Sequence, residues 1–166
     1  MKYLTIIRHA KSSWENLELD DFDRPLNDRG KQAILLIGNY LKQQKTHPDL
    51  ILSSPAKRAK KTAQGIAKLV NYRVADIQYE QTFYDDGLKA IIALIQQTEN
   101  HYNDIFLFGH EPILSALIYH FTTTNLEKFP TCAVFRMKFD TNNWSDLSAK
   151  KANCEFYVNP KLLLKK

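Results

Sequence analysis

The chain reads as an α/β protein, a three-layer α/β/α sandwich with a mostly parallel central sheet. Three observations predict this. Short, largely apolar runs of strand length recur along the chain, as in residues 3–7, 50–52 and 105–108. Segments of helical periodicity separate them, the alternation expected of a parallel sheet with helices on both faces. No repeat, low-complexity tract or linker divides the 166 residues, a length that suits one domain with a real core.

Residues 3–7 form the first strand, ended by Arg8-His9. Residues 14–27 are acidic and irregular, with Asp20, Asp21, Asp23 and Pro25. Asn27 can cap a helix running to about residue 44, whose Ala33, Leu36, Ile37, Tyr40 and Leu41 share one face. Leu50-Ile51-Leu52 is a short buried strand ended by Ser53-Ser54, and Ser54-Pro55 signals the start of a helix reaching Leu69 or Val70. Residues 74–77 are expected as a third strand, followed by a loop carrying Glu80, Phe83, Tyr84, Asp85 and Asp86. Residues 88–97 have helical spacing in Leu88, Ile91, Ile92 and Ile95. The strand 105–108 ends in Gly109-His110, and Pro112 opens a helix to about Phe121. Residues 133–139 and 154–158 read as late antiparallel strands joined through Asn142-Asn143. Residues 1–160 are thus one domain, and 161–166 are expected to be a frayed tail.

Composition excludes little. Hydrophobic residues make up 44% and charged residues 25%, ordinary values for a globular protein. Lys and Arg exceed Asp and Glu by 23 − 18 = 5, which suits an anionic ligand but equally a solvated surface. Cys132 and Cys154 show neither metal spacing nor a disulfide framework, and the first apolar run stops at Arg8, too early for a signal peptide or membrane span. These features lead to the expectation of a cytoplasmic protein without metal, cofactor, nucleic-acid or membrane partner. With no heptad and no long exposed apolar stripe, a monomer is the default.

Open parallel sheets place their sites beyond the carboxyl ends of the strands. Three strand ends here deliver two arginines and two histidines: Arg8-His9, then Ser53-Ser54 with Arg58 one turn into the following helix, then Gly109-His110. Arginine binds phosphoryl oxygens in a forked, bidentate way and stays charged at physiological pH. A neutral imidazole can attack phosphorus and form a covalent phospho-enzyme. A second histidine can bond the transferred group or stabilise transition-state charge. Helix N-termini after Ser54 and His110 add backbone donors, and Gly109 lets the backbone pass close to a ligand. Taken singly, each part has a structural explanation: Arg8 as an ion-pair partner of Asp20 or Asp23, Arg58 as one base among the lysines around it. Together at one sheet edge they point to phosphoryl chemistry. His47, His101 and His120 lack such surroundings.

These residues carry a resemblance. Arg8-His9-Ala10-Lys11-Ser12 resembles the signature of the histidine phosphatase superfamily, whose fold is phosphoglycerate mutase-like. Asp23-Arg24-Pro25-Leu26-Asn27-Asp28-Arg29-Gly30 resembles the segment before the first helix in SixA-type phosphohistidine phosphatases. Ser53-Ser54-Pro55 with Arg58, Thr62 and Ala63 fits the next block, and Gly109-His110 with Pro112 the last. The resemblance implies that His9 is the nucleophile and that Arg8, Arg58 and His110 bind the phosphoryl group. Lys11, Ser12 and Gly109 are further candidates for substrate binding, with Ser12 equally suited to capping local backbone. One departure stands out: SixA-like proteins usually have Asn after the second histidine, where this chain has Glu111. That carboxylate is expected to point away from the pocket, towards a lysine.

Larger members of this superfamily insert a cap over the site. Residues 74–105 leave no room for a cap domain, so the pocket is expected to be open and to admit a phosphorylated side chain on another protein. Phosphohistidine expels imidazole, whose conjugate acid has a pKa of about 6.5, and so needs no dedicated acid. Glu80 is the candidate general acid if one exists, in a loop that also offers Asp85 and Asp86. The leading expectation is therefore a metal-independent phosphatase acting on protein phosphohistidine through a phosphohistidine intermediate. A general small-molecule phosphomonoesterase and a non-catalytic module that binds phosphorylated ligands are the alternatives. Asp20, Asp23 and Arg24 are expected to order the entrance loop, with contact to the substrate protein as the alternative, and Trp14 to rim the pocket or pack beneath that loop.

Overall fold

A computed structural model describes residues 1–165. The six strands are β1 (Lys2–Arg8), β2 (Leu50–Ser53), β3 (Gln78–Tyr79), β4 (Asp104–Gly109), β5 (Val134–Phe139) and β6 (Asn153–Val158). They form one sheet in the order β3-β2-β4-β1-β5-β6. The first four are mutually parallel, whereas β5 runs antiparallel to β1, and β6 to β5. The carboxyl ends of β1, β2 and β4 are therefore neighbours, with Arg8 level with Gly109 and Ser53 level with Phe108.

The helices are α1 (Asp28–Gln43), α2 (Lys57–Leu69), α3 (Thr82–Asp85), α4 (Leu88–Gln96), α5 (Ile113–Phe121) and α6 (Pro160–Leu164). Strand side chains alternate between two cores, because successive residues of a strand face opposite sides. Leu4, Ile6, Ile105 and Leu107 pack against α4 and α5 through Ile91, Ile95, Leu114, Leu117 and Phe121. On the other face Ile7, Ile51, Phe106 and Phe108 meet Ile34, Ile37 and Leu41 of α1 and Ala63, Ile66 and Ala67 of α2. At the far end of the sheet, Arg136 of β5 grips Asp104 of β4 through two hydrogen bonds of 3.1 and 2.7 Å and donates to Thr5 of β1 at 2.8 Å. This staples β5 to the two strands that carry the histidines. No helix among the described residues is long and apolar enough to cross a membrane.

Three expectations are corrected. Residues 74–77 are not a strand: Val74–Asp76 is a turn of 3-10 helix, and the ladder forms over Gln78–Tyr79 instead. Val74 and Ile77 satisfy their apolar character by packing on the α1/α2 face. The loop after it contains one helical turn, α3. The tail is ordered where fraying was expected, since Asn159 caps α6 by accepting from the Leu162 N–H at 2.9 Å, with Pro160 in the first turn. Lys166 lies outside the described residues.

One contact ties the first helix to the site. Asn27 caps α1 as expected, its side chain accepting from the Gly30 N–H at 2.8 Å. Gly30 then passes so close to the chain after β1 that a Cβ there would lie 2.3 Å from the Lys11 carbonyl oxygen. Backbone cannot yield as a flexible side chain would. Gly30→Ala is expected to cost about 1–3 kcal/mol of stability by urea unfolding, in the range of overpacked sites, and to lower kcat/KM by displacing the stretch next to His9.

Candidate active site

The end of β1 is held from both sides. The His9 N–H donates to Gly109 O at 3.1 Å, and the Cys132 N–H donates to His9 O at 3.0 Å. On α2, Thr62 accepts from the Ala10 N–H at 2.9 Å and donates to Arg58 O at 2.7 Å, linking the stretch that carries His9 to the helix turn that carries Arg58. These bonds thus fix His9, Arg58 and His110 on neighbouring elements before their own side chains are considered.

The His9 ring is buried, 6% exposed. Its Nδ1 lies 2.8 Å from the Ala10 carbonyl oxygen. A carbonyl only accepts, so Nδ1 carries the proton and Nε2 keeps its lone pair. Burial, reinforced by His110, Arg58 and Arg8, pushes the His9 pKa down to about 3, so the ring is neutral at physiological pH. His110 packs beside it with ring centroids 5.2 Å apart. Its Nε2 is 2.8 Å from the Ser54 hydroxyl. Burial and the nearby Arg58 push its pKa down to about 4.

The guanidinium groups are held by few acceptors. Arg8 donates to Phe129 O at 3.1 Å. Arg58 donates to Asp21 O at 2.7 Å and to Asp21 Oδ2 at 3.0 Å. Arg24 is 7% exposed, donates to Asp21 Oδ1 at 3.0 Å, and stacks on the Trp14 ring, 3.5 Å from its centroid. Tyr84 also donates to Asp21 Oδ2, at 2.9 Å, and its ring meets His110 edge-on. With these donors Asp21 is held below the usual carboxylate range, against the opposing effect of its own partial burial.

Five buried side-chain atoms among the described residues lack a protein partner: Arg8 Nε, Arg24 Nε and Nη1, Arg58 Nε, and His110 Nδ1. All belong to the three arginines and one histidine around His9. A buried donor left unmade costs about 1–3 kcal/mol, so their concentration in one place marks a site built for an anion.

The other candidates fall as follows. The backbone of Lys11 accepts from the Asn27 N–H at 3.0 Å while its side chain is exposed. Ser12 is buried and bridges Leu26 across the entrance loop. Gly109 contributes its carbonyl to His9, and its Cα faces Leu114 rather than the pocket. Glu80 sits beside the end of β2, its N–H donating to Ser53 O at 2.9 Å, and no hydrogen bond joins its carboxylate to either histidine. Glu111 turns away from the pocket, but to Ser115 and not to a lysine: it accepts from the Ser115 N–H at 2.7 Å and from the Ser115 hydroxyl. It therefore caps α5 and occupies a backbone donor at that helix's start. Ser54 likewise takes the Ala56 N–H, at 3.2 Å, and α2 begins only at Lys57. Side chains, more than helix N-termini, furnish the pocket. Arg24 orders the entrance loop as expected, through Asp21 and Trp14, and in addition brings unpartnered buried nitrogens to the pocket, which sequence reasoning did not foresee. Its only signal was a place inside the block that resembles SixA-type proteins.

A phosphoglycerate mutase-like α/β sandwich without a separate cap domain, carrying an Arg-His pair opposite a second histidine, is the class that fold and site define. The model of the histidine phosphatase superfamily, branch 1, matches residues 4–83. Nearly half of the chain thus matches that superfamily, and its likeness to solved structures is to the SixA type. A candidate phosphohistidine phosphatase SixA from Agrobacterium tumefaciens superposes with a TM-score of 0.81 at 26% identity, over 96% of this chain and 98% of that one. The protein histidine phosphatase SixA in complex with tungstate gives a TM-score of 0.82 at 21% identity, over 97% and 99%. A chloroplastic protein of Arabidopsis thaliana is 32% identical over 116 residues, 69% of this chain; the chain spans 51% of that relative's length.

Two outcomes are expected from this geometry. Both histidines titrate below the usual 6.5 in the folded protein, so the unfolded chain binds more protons as pH falls from there towards 4 and 3. Their contribution to stability is present above 6.5 and is lost across that window. Urea midpoints measured across it should fall, and fall less steeply in a His9→Asn/His110→Asn variant. Arg24→Ala should lower kcat/KM towards p-nitrophenyl phosphate at least about tenfold, as loss of a preorganised charged donor does, and Asp23→Ala should leave it unchanged.

Proposed function

We propose that this protein is a phosphatase that removes the phosphoryl group from phosphohistidine on a protein, with His9 as nucleophile. The observation that carries the reading is the ring of unpartnered buried nitrogens on Arg8, Arg24, Arg58 and His110 around a neutral imidazole whose Nε2 lone pair is free. Nε2 attacks phosphorus, the bond from phosphorus to the substrate's imidazole nitrogen breaks, and that imidazole leaves. The arginines and His110 bind the phosphoryl oxygens as charge shifts among them. Water then cleaves the Nε2–phosphorus bond, releasing inorganic phosphate and restoring His9.

Two features favour phosphohistidine over an ester. Among the described residues no carboxylate is hydrogen-bonded to the histidine pair: Asp21 is engaged by Arg24, Arg58 and Tyr84, and Glu111 by Ser115. An alkoxide leaving group would need such an acid, whereas imidazole does not. The connection from β3 to β4 holds only α3 and α4, so the pocket stays accessible to a side chain on a folded partner. The reading includes metal independence: among the described residues no group of three or more His, Cys, Asp or Glu side chains is placed to hold a metal.

A protein phosphorylated on histidine and one phosphorylated on serine, offered side by side, test this. Phosphohistidine should be hydrolysed with kcat/KM at least about a hundredfold higher, the usual contribution of a general acid that the ester lacks. His9→Ala should abolish both activities. A preference for phosphoserine would move the assignment to a phosphomonoesterase, and activity retained in His9→Ala would sink the covalent mechanism.

A further inference from the structure

Beside the pocket runs a groove of about 850 Å³ whose walls include Lys11, Arg29, Lys128, Pro130, Thr131 and Lys161. It carries four cations and no carboxylate, although the chain has 18 acidic residues. Asp28 and Glu127, the chain neighbours of Arg29 and Lys128, do not line it. All four cations are exposed, and among the described residues none takes part in an ion pair or a side-chain hydrogen bond. Two of its walls adjoin the active site along the chain. Lys11 lies two residues beyond His9, and Lys128 and Pro130 flank Phe129, whose carbonyl holds the Arg8 guanidinium.

We infer that this groove docks an acidic segment of the phosphorylated protein substrate, an inference that rests on the function proposed above. The four cations stand on four stretches of chain: after β1, in the first turn of α1, before β5, and on α6. Such spacing suits a run of several carboxylates better than a single phosphate, on which charges would have to converge. The mixed wall, with Pro130, Tyr157, Pro160 and Leu164 between the cations, gives a peptide apolar surface as well as charge. Each exposed pair contributes little alone. Together they raise the encounter rate and orient the partner with its phosphohistidine over His9, an effect that salt screens.

Two histidine peptides phosphorylated with phosphoramidate test the inference, one bearing four glutamates beside the phosphohistidine and the other serines in their place. An Arg29→Gln/Lys128→Gln/Lys161→Gln variant should raise KM for the acidic peptide about five- to tenfold at about 50 mM salt, with the gap closing at about 500 mM. Hydrolysis of the serine peptide and of p-nitrophenyl phosphate should not change. Hydrolysis of both peptides with equal KM, or an equal loss on both in the variant, overturns the groove assignment and leaves the proposed function standing. Hydrolysis of p-nitrophenyl phosphate but of neither peptide overturns the proposed function, and this inference with it. Inhibition by a single-stranded oligonucleotide in preference to an unphosphorylated glutamate peptide would give the groove to a different partner and also overturn it.

Discussion

Everything around the pocket depends on keeping three guanidinium groups and two imidazoles together with donors that the protein itself leaves unmatched. Like charges at close quarters repel, and burial removes the water that would screen them. Burial holds both histidines neutral, and the field of the neighbouring Arg58 and Arg8 reinforces it by opposing a further positive charge. A neutral ring is what a nucleophile needs. Stability has thus been given up locally to set a protonation state, and a dianion entering the pocket would offset that cost through the donors left free.

The fold supplies the restraint. A guanidinium that could swing to solvent would relieve the repulsion, so the arginines have to be pinned from behind. Arg8 is pinned by the Phe129 carbonyl, and Arg58 and Arg24 by one carboxylate, Asp21, which also receives the Tyr84 hydroxyl. Asp21 grips the outer edges of the two guanidinium groups and leaves Nε of each unpartnered. The entrance loop is therefore part of the pocket's wall, and its acidity has a specific purpose at one position. At the others, such as Asp20 and Asp23, the side chains remain exposed.

The parts of this design legible in sequence were those fixed by local pattern. Apolar runs at residues 3–7, 50–52 and 105–108 marked the three central strands, and strands buried on both faces leave few other ways to write a sequence. Their ends then located Arg8, His9, Arg58 and His110. Less legible was whatever depended on which of two local signals wins. Ser54-Pro55 and Asn159-Pro160 carry the same cap-and-proline pattern, yet only the second caps a helix in that register, because the Ser54 hydroxyl is drawn to His110 and the Ala56 N–H. At residues 74–77 an apolar pattern was met by packing instead of a ladder, since the sheet's edge needs only two residues of β3. Arg24 was hidden for a further reason: its meaning comes from Asp21 and Trp14, both within the same irregular loop, where no periodicity announces a direction.

The Ala10 carbonyl bears on why the proposed reaction would end in hydrolysis and not in a lasting phosphorylated protein. A phosphoryl group on Nε2 leaves the ring with its Nδ1 proton only if something favours that proton. The Ala10 oxygen, 2.8 Å away, accepts it. The phosphorylated ring then carries a positive charge beside a negative phosphoryl group, and on cleavage it departs as neutral imidazole. Without the proton it would have to leave as an imidazolate anion, a far poorer leaving group. A hydrogen bond to the remote nitrogen thus serves both steps: before attack it aims the Nε2 lone pair at phosphorus, and afterwards it keeps the Nε2–phosphorus bond weak enough for water to break.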